Sequence, residues 1–547
     1  MLFEVFFYRV GYPLDLEWME GGTLVHALRV LQGEPLYAPP SVDFVSFLYT
    51  PGYPLLLAGL SEVFGLSYLL GRLVSVVSFA LALAIALAAV HDIERVWGGD
   101  PKAPLGRSRT RGWSAGALAC GAICLAYPFC GQWFDLVRAD SLWLALVASG
   151  LYLARPKTPE DHPGKGRRFS RRWYHTVAAA ALMTAAFFTK QTAAPFIVAA
   201  AVAMALTAPW RHALLFSTLT FTSCAGLTLI AQHMTGGWFW IYIYKLHQSH
   251  ELMWNLIWPD TPMKIFSHGF LIWGLGAAWL VAAGSRRSLS HPLFFWFVMA
   301  GCGLATSAVG SATQGAYKNA LIPAVYFSAI WAGGAVLEIP RLLSTTRGPA
   351  PLAEASPLRW VISNLSPGPS RSNRTVAVGR SSPGWLVPIV SIGCFGLLGA
   401  HLIIRWFDPT PLVPSVGQER RARRHISLLR MLGPDVFVPY HPYENVIAGG
   451  DGHLHVMGIN DIHTWAETIT GNPARDRKIR AAFRASIRRS FVKRRWTAVI
   501  HDRTYTHQLF GMRRSYRLKK DLADSGMAPS MQTGNPCSPR YLWVPRR

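Results

Sequence analysis

Charged residues are scarce in this chain and acidic ones scarcer: 15% of its 547 residues are charged, with 29 Asp and Glu against 54 Lys and Arg. With 51% hydrophobic residues, that shortage excludes an ordinary soluble enzyme. Cysteine is sparse as well. Of seven, Cys120, Cys124, Cys130, Cys224, Cys302 and Cys394 lie in or beside apolar runs and Cys537 stands alone, so neither a disulfide framework nor a cysteine metal site is expected. No glycine-rich phosphate loop is present and the two halves show no repeat. The apolar start, residues 1–10, has neither a basic lead nor a small-residue cleavage site, which argues against a signal peptide. It is also shorter than the roughly 20 residues needed to cross a bilayer. We expect either a re-entrant stub or, preferably, the remainder of a spanning helix whose beginning lies upstream.

What the chain has instead is long apolar runs, at about 69–90, 113–128, 141–154, 174–189, 194–208, 212–232, 266–283, 292–308, 321–337 and 385–404. They predict an all-α polytopic membrane bundle of about 10 or 11 transmembrane helices. Small-residue stretches such as AAAALMTAA would let those helices approach closely. Every second connection is basic: Arg95 to Arg111, Arg155 to Arg172, Arg211, Arg286 with Arg287, and Arg341 to Arg380. These connections are assigned to the cytoplasm, which makes the +25 net charge a sign of topology and not of nucleic-acid binding. The expected divisions are a first outer loop at 1–68, a helical core at 69–337, a basic disordered cytoplasmic linker at 338–384, a last span at 385–404 and a basic extracytoplasmic domain at 405–547.

The remaining loops, which would face outward, carry almost every polar cluster that looks chemical. The first holds Asp15, Glu17 and Glu20, then a short amphipathic run ending at Gly33 and an aromatic, proline-rich segment with Tyr37, Tyr49 and Tyr53. Acids this close to hydrocarbon are costly to keep, although they could simply cap a surface helix. Arg138 and Asp140 open one span, Lys190 with Gln191 sits at a tight turn, and Lys318 with Asn319 precedes another span. Taken singly, Lys190 could snorkel to headgroups, Arg138 could pair within its own turn and Lys318 could anchor the interface. Their shared side is what favours a site.

From residue 405 the apolar runs stop, and 25 Lys and Arg face 11 Asp and Glu. Strand-like runs at 436–440, 453–459, 496–502 and 540–545 and a basic helical stretch at 474–493 predict a small soluble α/β domain. His441, His453, His455 and His463 complete no recognised metal spacing, so no metal site is expected there.

Several pieces, in this order, carry a resemblance: Glu20, then Gly33-Glu34-Pro35-Leu36-Tyr37, Tyr49-Thr50-Pro51-Gly52-Tyr53-Pro54, Gly71-Arg72-Leu73, Arg138-Ala139-Asp140-Ser141, Thr189-Lys190-Gln191 and Asn319-Ala320-Leu321-Ile322-Pro323. Over roughly residues 12–340 the chain resembles integral-membrane glycosyltransferases of the GT-C class, which include protein O-mannosyltransferases and lipid A aminoarabinose transferases. The family's acidic pair would fall on Met19 and Glu20, so here the pair is not intact. The resemblance implies a polyprenyl-phosphate sugar as donor, a glycan, lipid or protein acceptor, membrane lipids as surroundings, and transfer with inversion away from the cytoplasm, in a bacterial inner membrane. Asp15 is the expected base, with Glu17 and Glu20 as alternatives. Lys190, Arg138, Arg72 and Lys318 are expected on the phosphate, Asp140 as an orienting group, and Tyr37 and Tyr53 on sugar or lipid. No cofactor is required by these residues, and a divalent metal is left open. The competing expectations are a secondary transporter, which would carry its charges mid-helix, and a membrane scaffold whose tail binds an anion.

Overall fold

The computed structural model describes every residue except 98–104, 157–172, 287–289, 345–384, 504–508, 530–532, 535–536 and 547. Helices α1 (Leu2–Val10), α2 (Glu20–Leu31), α3 (Gly52–Phe64), α4 (Tyr68–Trp97), α5 (Leu105–Leu125), α6 (Ala139–Ala154), α7 (Trp173–Thr189), α8 (Ala194–Thr207) and α9 (Trp210–Met234) come first. Further long helices span Phe270–Arg286, His291–Ala312, Ile322–Ser344 and Leu386–Ile404. The Ile322–Ser344 helix is the axis, buried continuously from Ile322 to Pro340 and packed against α4, α5 and the other three. Glycines on its partners allow this: a Cβ on Gly303 would lie 2.7 Å from the Pro323 carbonyl oxygen, and one on Gly276 would lie 2.3 Å from the Trp331 ring.

The polytopic helical bundle with a small α/β unit is as expected, and the chain is an integral membrane protein. Among the described residues five helices are long and apolar enough to cross a membrane, or six if the bent pair Leu256–His268 and Phe270–Arg286 is one span. Gly52–Phe64, Ala139–Ala154 and Gln191–Thr207 are apolar but shorter. Residues 338–344 continue a helix, with Glu338 accepting a 2.7 Å hydrogen bond from Trp279 Nε1, and 345–384 of the expected linker lie outside the described residues. The α1 helix sits against the bundle with Leu2, Val5, Phe6 and Arg9 buried.

The C-terminal part forms a four-stranded mixed sheet in the order β1 (Val436–Phe437), β2 (Ala498–His501), β4 (Tyr541–Pro545), β3 (Tyr516–Asp521). The β1 strand runs parallel to β2, whereas β4 is antiparallel to both β2 and β3. Two elements depart from expectation. Residues 453–455 make no strand, and His455 instead caps the helical turn Val456–Ile459 by accepting the Met457 N–H. The β3 strand has no alternating pattern because it is an edge, with Arg517 to Lys520 exposed. The C-terminal part does not stand apart from the first loop, since Trp18, Tyr37 and Phe47 share one apolar cluster with Phe437, Val456, Phe483 and Trp496. This cluster seats the sheet and its helices over the acidic stretch.

Candidate active site

The three carboxylates of the first loop point in three directions. Glu20 meets Arg72 in a bidentate pair, Nε to Oε1 at 3.0 Å and Nη2 to Oε2 at 2.7 Å, and both side chains are fully buried. Glu20 also accepts the N–H groups of Val137 (2.8 Å) and Leu16 (2.6 Å), while Arg72 donates to the carbonyls of Tyr12 and Leu14 at 2.6 Å each. Burial alone would raise the Glu20 carboxyl, but the charge and hydrogen bonds of Arg72 outweigh it and hold the pKa below the usual range. The pair therefore joins α2, α4 and the 137 loop and leaves neither group free for a ligand. Glu20→Ala is expected to lower stability by about 3–5 kcal/mol, because it strands a buried guanidinium; thermal unfolding in detergent measures it.

Asp15 turns toward the C-terminal sheet. Its Oδ2 is 2.7 Å from His441 Nδ1, its Oδ1 accepts the Gly21 N–H at 2.7 Å, and His441 Nε2 reaches Asp502 Oδ2 at 3.0 Å. Glycine at position 21 lets these groups close in, since a Cβ there would lie 2.9 Å from the Tyr68 hydroxyl and 3.1 Å from Asp15. Burial lifts Asp15 to about 7 despite the bond to His441, while for His441 the surrounding carboxylates outweigh burial and raise its pKa well above the ordinary histidine value. Glu444, bonded to His425 at 2.9 Å, completes a triad: ligand atoms of Asp15, His441 and Glu444 all lie within 4.8 Å of one another. It is the one group of three with metal-ligand spacing among the described residues.

Glu17 alone of the three acids lines a cavity. The cavity is about 830 Å³ and lies between one end of the bundle and the C-terminal part. Glu17 Oε2 accepts the Met19 N–H at 3.2 Å and lies 3.5 Å from Arg138 Nη1. Burial pushes its carboxyl up to about 8, with the Arg138 charge opposing.

Opposite Glu17 stand the cations. The loop that carries them is pinned from below, where Arg9 binds Asp135 at 2.6 Å and Tyr127 donates to the other Asp135 oxygen at 2.7 Å. Gly131, at φ +73° with Tyr317 2.9 Å from where a Cβ would be, makes the turn. Arg138 then donates from Nη2 to the Tyr49 hydroxyl at 3.1 Å and lies between the Tyr49 and Trp133 rings, 5.4 and 5.5 Å from their centroids. Its Nη1 is buried without a hydrogen-bond partner. Asp140 gathers three donors: Lys190 Nζ at 2.6 Å, Asn319 Nδ2 at 3.0 Å and Trp133 Nε1 at 3.1 Å. Glu17, Arg138, Asp140 and Lys190 thus share one chamber.

Tyr37 and Tyr53 line a small cleft beside it, and their hydroxyls are committed to the carbonyls of Tyr49 (2.7 Å) and Gly71 (3.1 Å). Lys318 is exposed and does not line the chamber, whereas its neighbours Tyr317 and Asn319 do. The far wall holds groups for which the sequence offered no signal: His247, which Gln191 Nε2 contacts at 2.8 Å, and His250 3.4 Å from Asp461, with Met457 and Trp465 closing above them.

No family model matches the chain, and no curated protein matches it. Among solved structures it is similar to ArnT from Cupriavidus metallidurans bound to undecaprenyl phosphate, at 14% identity over 82% of this chain and 83% of that one, with a TM-score of 0.48. The apo state of ArnT gives 15% identity, 83% of each chain and a TM-score of 0.49. Archaeal oligosaccharyltransferase AglB from Archaeoglobus fulgidus, in complex with an inhibitory peptide and a dolichol-phosphate, gives 11% identity over 78% of this chain and 55% of that one, with a TM-score of 0.43. These are likenesses in the course of the chain alone.

Proposed function

We propose that the protein is a membrane glycosyltransferase that moves a sugar from a polyprenyl-phosphate donor to the hydroxyl of a glycan, lipid or protein acceptor. The observation that carries this reading is the chamber itself, where the Glu17 carboxylate faces the Arg138 guanidinium, whose Nη1 makes no hydrogen bond, and the Lys190 ammonium held by Asp140, at the end of an apolar bundle. A lipid-borne phosphate matches such a place, because its chain stays with the bundle while its charge enters the polar chamber. Glu17 takes the acceptor proton as the acceptor oxygen bonds to C1. The C1–O bond to phosphate breaks, and its electron pair leaves with the lipid phosphate. Arg138 and Lys190 meet the growing charge on that phosphate. Asp140 sets the direction of Lys190 and Asn319. Attack opposite the leaving group inverts the anomeric centre. Among the three acids this moves the base from Asp15 to Glu17, with Asp15 and Glu20 as positioning residues.

All five loops assigned to the side away from the cytoplasm contribute to the chamber, through Glu17, Arg138, Lys190, His247 and Tyr317. That supports an active site facing outward, and the bacterial inner membrane is the proposed location. Incubating the purified chain with labelled polyprenyl-phosphate sugar and a cell-envelope extract tests the reaction. Label should move out of the lipid fraction; label that stays there, while a control transferase works alongside, would refute it.

A further inference from the structure

A second cluster lies outside the chamber. His441 occupies the N-cap position of the short helix Pro442–Ile447 and Glu444 follows one turn later, a spacing that puts both side chains on one side. The chain delivers Asp15 to the same point from 426 residues away. Asp15, His441 and Glu444 are each fully buried, and none of them lines the chamber. An ion with bonds of about 2.0–2.2 Å holds its ligand atoms roughly 3–4 Å apart. Here they lie 2.7 Å apart between His441 Nδ1 and Asp15 Oδ2 and no more than 4.8 Å apart across the group.

Two independent features point to a ligand. The hydrogen-bonded set brings three buried carboxylates, Asp15, Glu444 and Asp502, onto two imidazoles, His441 and His425, so carboxylate oxygens outnumber the ring N–H groups that can meet them. In addition, Glu444 Oε1, fully buried, has no hydrogen-bond partner. The surroundings already have the form of an outer shell. His441 turns its other ring nitrogen to Asp502, and Glu444 leans on His425, which is how metal-bound histidines and carboxylates are oriented.

We propose that Asp15, His441 and Glu444 bind a divalent cation of the zinc class, which fastens the C-terminal part to the acidic stretch. One nitrogen and two carboxylate ligands suit that class. The ion is structural, since it sits apart from the chamber, and it fixes the backbone two residues before Glu17.

The test is metal content of the full chain, purified in detergent, equilibrated with zinc and stripped of loosely bound ions. Wild type should retain one zinc per chain, and Asp15→Asn and Glu444→Gln should lose it. Asp502→Asn should weaken zinc binding by roughly 10–100-fold through the orientation of His441. His250→Ala, at the other buried His–Asp pair, should leave the count unchanged. A wild type without metal overturns the proposal and leaves His441 as a protonated bridge between carboxylates. Metal that persists in both ligand variants overturns it as well. Should those variants fail to fold, X-ray absorption of zinc in the wild type decides: one imidazole with oxygens supports the site, and sulfur or several imidazoles refute it. Zinc content is read without turnover, so this result and the transferase assay stand or fall separately.

Discussion

Glu17→Gln is expected to lower turnover by roughly 10²–10⁴-fold, the usual worth of a positioned general base, while donor affinity changes little. The substitution keeps the shape of the side chain and its contact with the Met19 N–H, and removes only the ability to take a proton. The other two acids cannot replace it. Both oxygens of Glu20 are held by Arg72 and by backbone N–H groups, and Asp15 is buried against His441 and does not line the chamber. Asp15→Asn should therefore act on folding and on metal content, with turnover per folded molecule falling much less than in Glu17→Gln. Single-turnover rates on monodisperse protein, normalised to folded fraction, separate the two. The reverse order, with folded Asp15→Asn dead and Glu17→Gln active, would move the base back to Asp15.

The class of fold was legible because it rests on composition and on the alternation of apolar runs with basic loops, which reflect the bilayer directly. The chamber was half legible. Arg138, Asp140 and Lys190 stand at the ends of apolar runs, where charge is conspicuous, and they do converge. The choice among Asp15, Glu17 and Glu20 was not legible, because three acids within six residues differ only in where the chain bends and what it meets. Arg72 could be placed in the first span by its Gly71-Arg72-Leu73 setting, yet only the fold shows it saturated by Glu20 and carbonyls. Lys318 shows the opposite error: a cation at a span end looked like its neighbours, but the turn sends it outward while Asn319 turns in. His441 was visible as one histidine among several. Its meaning depends on Asp15 and Asp502, and no local spacing can announce partners from two other stretches of chain.

Arg138→Ala should reduce turnover by roughly 10²–10³-fold, as when a donor to developing negative charge is removed from a buried site, and should weaken binding of labelled polyprenyl phosphate. The basis is Nη1, which makes no hydrogen bond and has only the 3.5 Å ion pair with Glu17. A buried donor without a partner costs about 1–3 kcal/mol, and here it is held in place by the Tyr49 hydroxyl and between two aromatic rings. An anion that enters the chamber removes that cost. Arg138 also opposes the burial of Glu17, so its loss drives the Glu17 carboxyl further upward and leaves less carboxylate to accept a proton at neutral pH. Two consequences distinguish these roles. Raising the pH should recover part of the lost rate in Arg138→Ala but none of the lost affinity for lipid phosphate. In Arg138→Lys, which keeps the charge but not the planar fork, affinity should be largely kept while turnover stays low. The double variant Glu17→Gln, Arg138→Ala should fall short of the product of the single losses, because the two groups lie 3.5 Å apart and act on one bond. Full multiplicativity would instead place them in separate sites and break the link between base and phosphate on which the transferase reading depends.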